Sequence, residues 1–546
     1  MGREEWRERT GWALAAVLLG VIVFGYLMPA TGYFTAVPGG FGVPRHNSVV
    51  LEHLYRVVTG YGAGLWNPDF YYPFSGSLAF SDNHLGSGAT YVLGRLMGLS
   101  REHAFDLWFA TGTLLNFGST LFVIRRLGLS TAAAALGAFF YAYALPVPVQ
   151  DNHAQLVHRF AVPLAMLALW QMFERRRLVD GARVAFFTVW QFYCSIYLGL
   201  FLVYLLAALG VAILFIHRPF EWTRWRSNLA AERASAKLAA AGALLLSAVA
   251  FVYLVGNYFL ISRAYSFEHW RPMEVISRML PRPGSYLIAD TSPLLSWLGR
   301  GVSVPDRWEH QLFIGFGALS LIVTAAVSAW RGRAALPGLA QVMLLALALL
   351  VLGTLWVDYL SLYYLVAWLP GVKDIRAVAR IILIMLAPLS VLVALGADAV
   401  LRKVRPVRLG TMPVLAGLVI LLATEPLSVH LYSTPIAKWR ERLDSVKVLL
   451  PAAMPTDPIL LVRTSSSDAH EQIFSELDGM ILGQDLGSPV LNGYSAFAPP
   501  GYRLRPCILP RGRLMGYSHF NHDADVSDYA RRLVVLDLGA CPPANR

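Results

Sequence analysis

Eleven apolar runs constrain this chain more than any other feature, falling near residues 12–30, 104–124, 131–149, 158–173, 182–199, 200–216, 238–260, 310–330, 337–357, 377–397 and 411–429. Runs of this kind match the length a helix needs to cross about 30 Å of hydrocarbon. Composition agrees: 56% of residues are hydrophobic and only 15% charged, with a mean hydropathy of +0.51, outside the usual range of a soluble globular protein. The sequence reads as a polytopic α-helical membrane protein of about eleven transmembrane helices.

Orientation follows from where Lys and Arg collect in short connections. Alternate connections are basic: Arg3/Arg7/Arg9, Arg125/Arg126, Arg175/Arg176/Arg177/Arg183, Arg218/Arg224/Arg226/Arg233/Lys237, Arg331/Arg333 and Arg402/Lys403/Arg405/Arg408. This places the N-terminus in the cytoplasm and puts the long first loop and the tail outside. The first apolar run is long for a signal sequence and reads as an uncleaved anchor. The net charge of +12 restates the loop asymmetry, and with no basic-aromatic domain beside it nucleic-acid binding is not expected. Three cysteines are too few for a disulfide framework; Cys194 lies in a span, while Cys507 and Cys541 share the outer tail and can pair.

The organisation is a transmembrane domain over 1–430, with outer loops at 31–88 and 262–309, and a small α/β domain over 431–546. Loop 31–88 carries RHNSVVLEHLYR, LWNPDFYYPF and FSDNHLG, and it is too long and too patterned for a simple connector. After it, 85–100 is short, apolar and interrupted by Arg95, as in a re-entrant or interfacial helix. Pro146 and Pro148 stop the third span. QFYCSIYLG marks a hairpin tip within 182–216. Loop 262–309 carries Arg263, Glu268, His269, Arg271, Glu274, Asp290, Asp306, Arg307, Glu309 and His310, and it is placed to cover the first loop. In the tail, PILLVRT and RRLVVLDLG read as strands, EQIFSELDGMILGQDL as a helix and LNGYSAFAPPGY as a loop.

No P-loop, GxSxG elbow or HExxH is present, and no histidine pair has metal-ligand spacing, so neither a metal nor a cofactor is expected. Asp-Asn-His occurs twice, at 82–84 and 151–153, on the same predicted side. The two copies read either as solvated turns or as the lining of one polar cleft that includes His153 and Arg159. Trp66, Phe70, Tyr71 and Tyr72 read either as a sugar-stacking surface or as an interfacial aromatic belt. Glu425, at membrane depth, is costly unless paired or open to a cavity, or it is only a helix-end residue before Pro426.

The arrangement of one span, a large outer loop with acids and aromatics, many further spans and a terminal outer domain resembles the GT-C superfamily. These are integral-membrane glycosyltransferases that use polyprenyl-phosphate sugars. LWNPDFYYPF, FSDNHLG, LPGVKDIRAVARIIL and LNGYSAFAPPGY are similar to segments of bacterial members. The resemblance implies a hexosyl- or pentosyltransferase of the cytoplasmic (inner) membrane and cell envelope. Its donor is a polyprenyl-phosphate sugar, its acceptor a lipid, glycan or protein, and membrane lipids are its surroundings. A non-catalytic or transport protein on the same scaffold, such as a lipid-linked sugar flippase or an assembly factor, is the alternative.

The resemblance also implies an acid early in the first outer loop, yet none occurs between Glu8 and Glu52, where the chain reads FGVPRHN. The base must then come from Asp82, Glu52 or Asp69. Asp82 is preferred because Asn83 and His84 can hydrogen-bond substrate hydroxyls, although it equally reads as the cap of a helix from Leu85. Lys373, Arg376 and Arg380 follow Pro370–Gly371 at spacings that align on one helical face. A helix starting there offers cations and free N–H groups to a lipid-borne phosphate. Headgroup contact, with one arginine paired to Asp374, is the plainer reading.

Overall fold

The computed structural model describes residues 3–62, 64–217, 222–267, 272–369, 371–373, 375–403, 408–521 and 529–543. Arg218, Glu268, His269, Arg271, Asp374 and Arg405 fall outside them. The fold is mostly helical, and a helix lies on each apolar run. Among the described residues six helices are long and apolar enough to cross a membrane: Glu4–Ala30, Arg101–Arg126, Ile196–Ile216, Ala234–Ala264, Pro337–Thr354 and Val378–Lys403. The pair Thr131–Tyr143 and Pro148–Leu156 qualifies jointly across a 77° bend, where Pro146 and Pro148 interrupt the helix. Phe316–Trp330 and Thr411–Leu427 are shorter apolar helices.

Burial ranks these helices. The apolar stretch of Val378–Lys403 is wholly buried, against 17% for Ala234–Ala264, so the first is the axis of the bundle and the second its periphery. Close approach to that axis needs small residues: a Cβ on Gly396 would run into the Leu321 carbonyl. Glu425 is resolved as a helix cap, accepting the N–H groups of Phe316 (2.9 Å) and Gly317 (3.3 Å) at the start of Phe316–Trp330.

Above the bundle, loop 31–88 and the tail are woven into one module. Strand Ala36–Pro38 pairs antiparallel with Ser433–Pro435, Val37 facing Thr434. Strand Ile459–Thr464 pairs parallel with Leu533–Leu538, and helix Ala469–Leu486 packs on it, which are the tail elements expected from sequence. The first loop contributes a 16-residue helix, Val43–Val58, whose Arg45 forms a fully buried 2.6 Å ion pair with Asp478 of the tail helix. Tyr71 N–H donates to the Asn492 carbonyl (2.8 Å) and Tyr72 N–H to that of Val490 (2.9 Å). The apolar core of this module mixes Phe70, Tyr71 and Phe80 with Leu460, Leu477 and Leu536, and loop 262–309 adds Tyr265 and Phe267. Cys507 and Cys541 are disulfide-bonded, with Cα atoms 5.3 Å apart.

Candidate functional site

The helix break expected within 191–199 is at Ser195, between Leu178–Cys194 and Ile196–His217, and it leaves the second helix with unpaired N–H groups. Asp82 meets them. Its Oδ1 accepts from the Ile196 N–H (2.8 Å) and from the Ser195 hydroxyl (3.1 Å). Asp82 therefore caps a helix more than a hundred residues away, rather than one beginning at Leu85. No helix begins at Leu85: residues 85–88 form a turn, in which the Asn83 side chain accepts from Leu85 N–H (2.9 Å), and the helix starts at Ala89. Burial pushes the Asp82 carboxyl up to about 6, against the opposing pull of the Ser195 hydroxyl, the Ile196 and Tyr197 N–H groups and the Arg380 charge. A half-buried carboxyl at that value is ionised at neutral pH yet readily protonated, the condition for proton transfer.

Beside it stands Arg380, 5% exposed at the N-terminal end of the axial helix. Its guanidinium grips Glu309 through two bonds, Nε to Oε2 (2.8 Å) and Nη2 to Oε1 (2.5 Å). Nη2 also donates to His153 Nε2 (2.7 Å), which puts the ring proton on Nδ1 because a guanidinium only donates. The cation lies 5.5 Å from the centre of the Tyr197 ring. Burial alone would raise Glu309, but the charge and hydrogen bonds of Arg380 hold it down to about 2. Asp82 and His153, one from each Asp-Asn-His copy, thus share the neighbourhood of Arg380. A second link runs from His84 Nε2 to Asn47 Oδ1 (3.3 Å), with Asn47 Nδ2 donating to Gln155 (2.9 Å).

The cationic segment is corrected. Lys373 and Arg376 precede the helix: 371–373 is a turn, 375–377 is irregular, Val378–Ile381 is a 3-10 turn and the α-helix starts at Ile382. Tertiary bonds impose this, because Ala379 N–H donates to the Met279 carbonyl (3.0 Å) and Ala377 N–H to the Tyr197 hydroxyl. Val372, Ile375 and Val378 turn inward and leave Lys373 and Arg376 exposed. Among the described residues neither exposed cation has an ion-pair partner, whereas Arg380 is fully engaged by Glu309.

Other expected site residues are structural. Glu52 accepts from Tyr91 (2.6 Å) and from Arg95 (2.9 and 3.0 Å), and Asp69 pairs with Arg56 (2.8 Å). Tyr71 is 2% exposed against Tyr502 and the Gly493 backbone, where a Cβ would strike its ring, and Tyr72 packs on Tyr529. Tyr71 and the 3% exposed Phe70 belong to the core and offer no surface to a sugar, while Tyr72 is half-buried. Asn83 and His84 are 1% exposed and hold the loop against Tyr258 and Trp108. Arg159 donates to the carbonyls of Leu156 (3.1 Å) and Tyr141 (3.3 Å), closing the bend after Thr131–Tyr143 rather than facing substrate.

No known family matches the chain, and no curated protein does. Solved structures similar to it include the following two. One is arabinofuranosyltransferase AftD from Mycobacteria, at 16% identity and TM-score 0.48, over 83% of this chain and 29% of that one. The other is the Archaeoglobus fulgidus oligosaccharyltransferase, at 13% identity and TM-score 0.39, over 88% of this chain and 62% of that one. The chain therefore spans less than two thirds of either. Glu309, Ser195 and Tyr197 were not singled out from the sequence as site residues; only Glu309 carried a signal, as an acid in the second outer loop.

Proposed function

We propose that the chain is a bacterial-type GT-C glycosyltransferase of the cytoplasmic membrane. In this reading it crosses the bilayer about eleven times and presents the woven module outside. It moves a sugar from a polyprenyl phosphate to a lipid, glycan or protein acceptor. The observation that carries the reading is Asp82: a half-buried carboxyl raised to about 6, fixed at a helix N-terminus and in the field of Arg380. Asp82 takes the proton of an acceptor hydroxyl as its oxygen bonds to the anomeric carbon. The bond from that carbon to the phosphate oxygen breaks, its electron pair leaves with the lipid phosphate, and the configuration inverts. Lys373 and Arg376 are the exposed cations for the leaving phosphate, while Arg380 stays with Glu309 and sets the field at Asp82.

The test is a purified-protein assay with radiolabelled polyprenyl-phosphate sugars and lipid or glycan acceptors. Transfer that disappears in Asp82→Asn is expected. Transbilayer movement of the lipid without transfer would replace this reading by the flippase.

A further inference from the structure

The turn Arg307–His310 has two sides. Glu309 and His310 face inward, at 7% and 0% exposed, toward Arg380 and Ser285. On the other side lies a groove of about 560 Å³, lined by Asp290, Arg307, Trp308, Gln311, His430 and Tyr432. Neither Asp82 nor Arg380 lines it, and its size is that of a small-ligand site.

The chemistry of its walls selects an occupant. Asp290 and Arg307 neutralise one another through two parallel bonds of 2.7 and 2.8 Å. Arg307 spends further N–H groups on the Gly299 and Val302 carbonyls, so the groove carries no free cation for a phosphate. Trp308 and Tyr432 meet edge to face, centroids 5.9 Å apart, and His430 meets Tyr432 the same way at 5.2 Å. Each such contact covers one ring face with the other ring's edge, and His430 and the 43% exposed Tyr432 still present aromatic surface to the groove. Gln311 is 4% exposed, and its Oε1 accepts from Thr291 N–H (3.0 Å) and hydroxyl (3.1 Å). That fixes the amide and leaves its N–H groups without a partner among the described residues. The Trp308 indole N–H, the His430 imidazole and the Tyr432 hydroxyl likewise have no hydrogen-bond partner there.

Exposed aromatic surface beside uncommitted hydrogen-bonding groups matches the two surfaces of a sugar ring, one of C–H groups and one of hydroxyls. We infer that this groove binds a neutral oligosaccharide, the distal part of a glycan acceptor whose reacting end reaches round the turn toward Asp82. The role as acceptor site rests on the proposed transfer; the binding of a neutral glycan does not.

The test uses the full chain in lipid nanodiscs and titrates neutral hexose tetrasaccharides, with uronic-acid tetrasaccharides and inorganic phosphate as charged counterparts, followed by saturation-transfer NMR. Saturable binding of a neutral probe is expected, weakened about tenfold in Trp308→Ala and kept within about twofold in Trp308→Phe. Tyr432→Ala, at a 43% exposed position that tolerates truncation, is the second variant and weakens binding in the same direction. No saturable neutral binding, preference for the charged probes, or unchanged affinity in both truncations overturns the inference. Binding without any transfer overturns the proposed function and leaves the glycan site. Transfer whose acceptor KM is indifferent to Trp308→Ala leaves the function and overturns the acceptor role.

Discussion

Replacing Asp82 by Asn tests the site without any substrate. Burial raises this carboxyl from 3.8 to about 6 in the folded chain. Between those values the folded protein holds a proton that the unfolded chain has released, so stability falls as pH rises through the window. A gap of about two pH units at about 1.4 kcal/mol each gives up to about 3 kcal/mol, reduced somewhat because the side chain is not fully buried. Asn cannot titrate, and its amide oxygen can still accept from Ser195 and Ile196. The stability difference, variant minus wild type, should therefore climb by about 1–3 kcal/mol from pH 4 to pH 6.5 and then level off. Thermal unfolding of the nanodisc-embedded protein across that range reads it directly. Taking the difference removes Glu309, whose depressed value makes it act in the opposite sense and only at lower pH. Parallel curves from pH 4 to 7 would show that Asp82 titrates normally and refute the reasoning. In the transfer assay the same carboxyl predicts an acid limb near pH 6 for the wild type and a loss of about two to four orders of magnitude in Asp82→Asn.

Further outcomes follow from the neighbours. Glu309→Gln and Arg380→Met break the same buried ion pair and each should cost about 3–5 kcal/mol by thermal unfolding. They should move the acid limb in opposite directions, down for Glu309→Gln, which strips Arg380 of its counter-charge, and up for Arg380→Met, which removes the cation; a shift of the same sign in both would exclude the electrostatic coupling. Arg376→Ala and Lys373→Ala should weaken binding of a polyprenyl phosphate about three- to tenfold each, an effect that fades with added salt, whereas affinity equal to wild type at low salt would remove the exposed cations from the donor site. Cys507→Ser should destabilise the module of first loop and tail by about 3–4 kcal/mol for a loop closed over 34 residues, measured as faster proteolysis of the tail, and unchanged proteolysis would count against it.

Length and hydropathy made the helices legible because crossing lipid demands a continuous apolar run, a property one stretch of sequence carries by itself. The break at Ser195 was legible for the same reason, since residues 182–216 are too long for one span. The start of the axial helix was not. KDIRAVAR has helical spacing, but its backbone N–H groups are claimed by Met279 and Tyr197, and no local pattern encodes a partner about a hundred or more residues away. The pairing of Arg380 with Glu309 is hidden likewise, because ion pairs across 71 positions leave no periodicity. Tyr71 was misread for a subtler reason. An aromatic cluster in a polar loop suits a binding surface, a belt or a second core, and only the placement of Gly493 against its ring decides for the core.

That second core carries the last prediction. The tail has its own strands and helix, so an excised module over 431–546 looks self-sufficient in sequence. Its helix Ala469–Leu486, however, places Asp478 with no exposure between Arg45 of the first loop (2.6 Å) and Arg442 (2.8 Å). The guanidinium of Arg45 is itself unexposed, and two of its nitrogens have no hydrogen-bond partner. Asp478→Asn would leave that cation buried without compensation, which costs about 3–5 kcal/mol and a large share of what a small module has. The bundle below does not use this pair, so the loss should be local. Hydrogen exchange should accelerate together in Val43–Val58 and Ala469–Leu486 while the amides of Val378–Lys403 stay protected. Replacing both partners, Arg45→Met with Asp478→Leu, should restore much of the protection, because an apolar pair of similar volume carries no desolvation cost. Exchange that rises in the tail helix alone would mean that loop and tail are separate units after all, and the site above the axial helix would then lack the support the first loop draws from the tail.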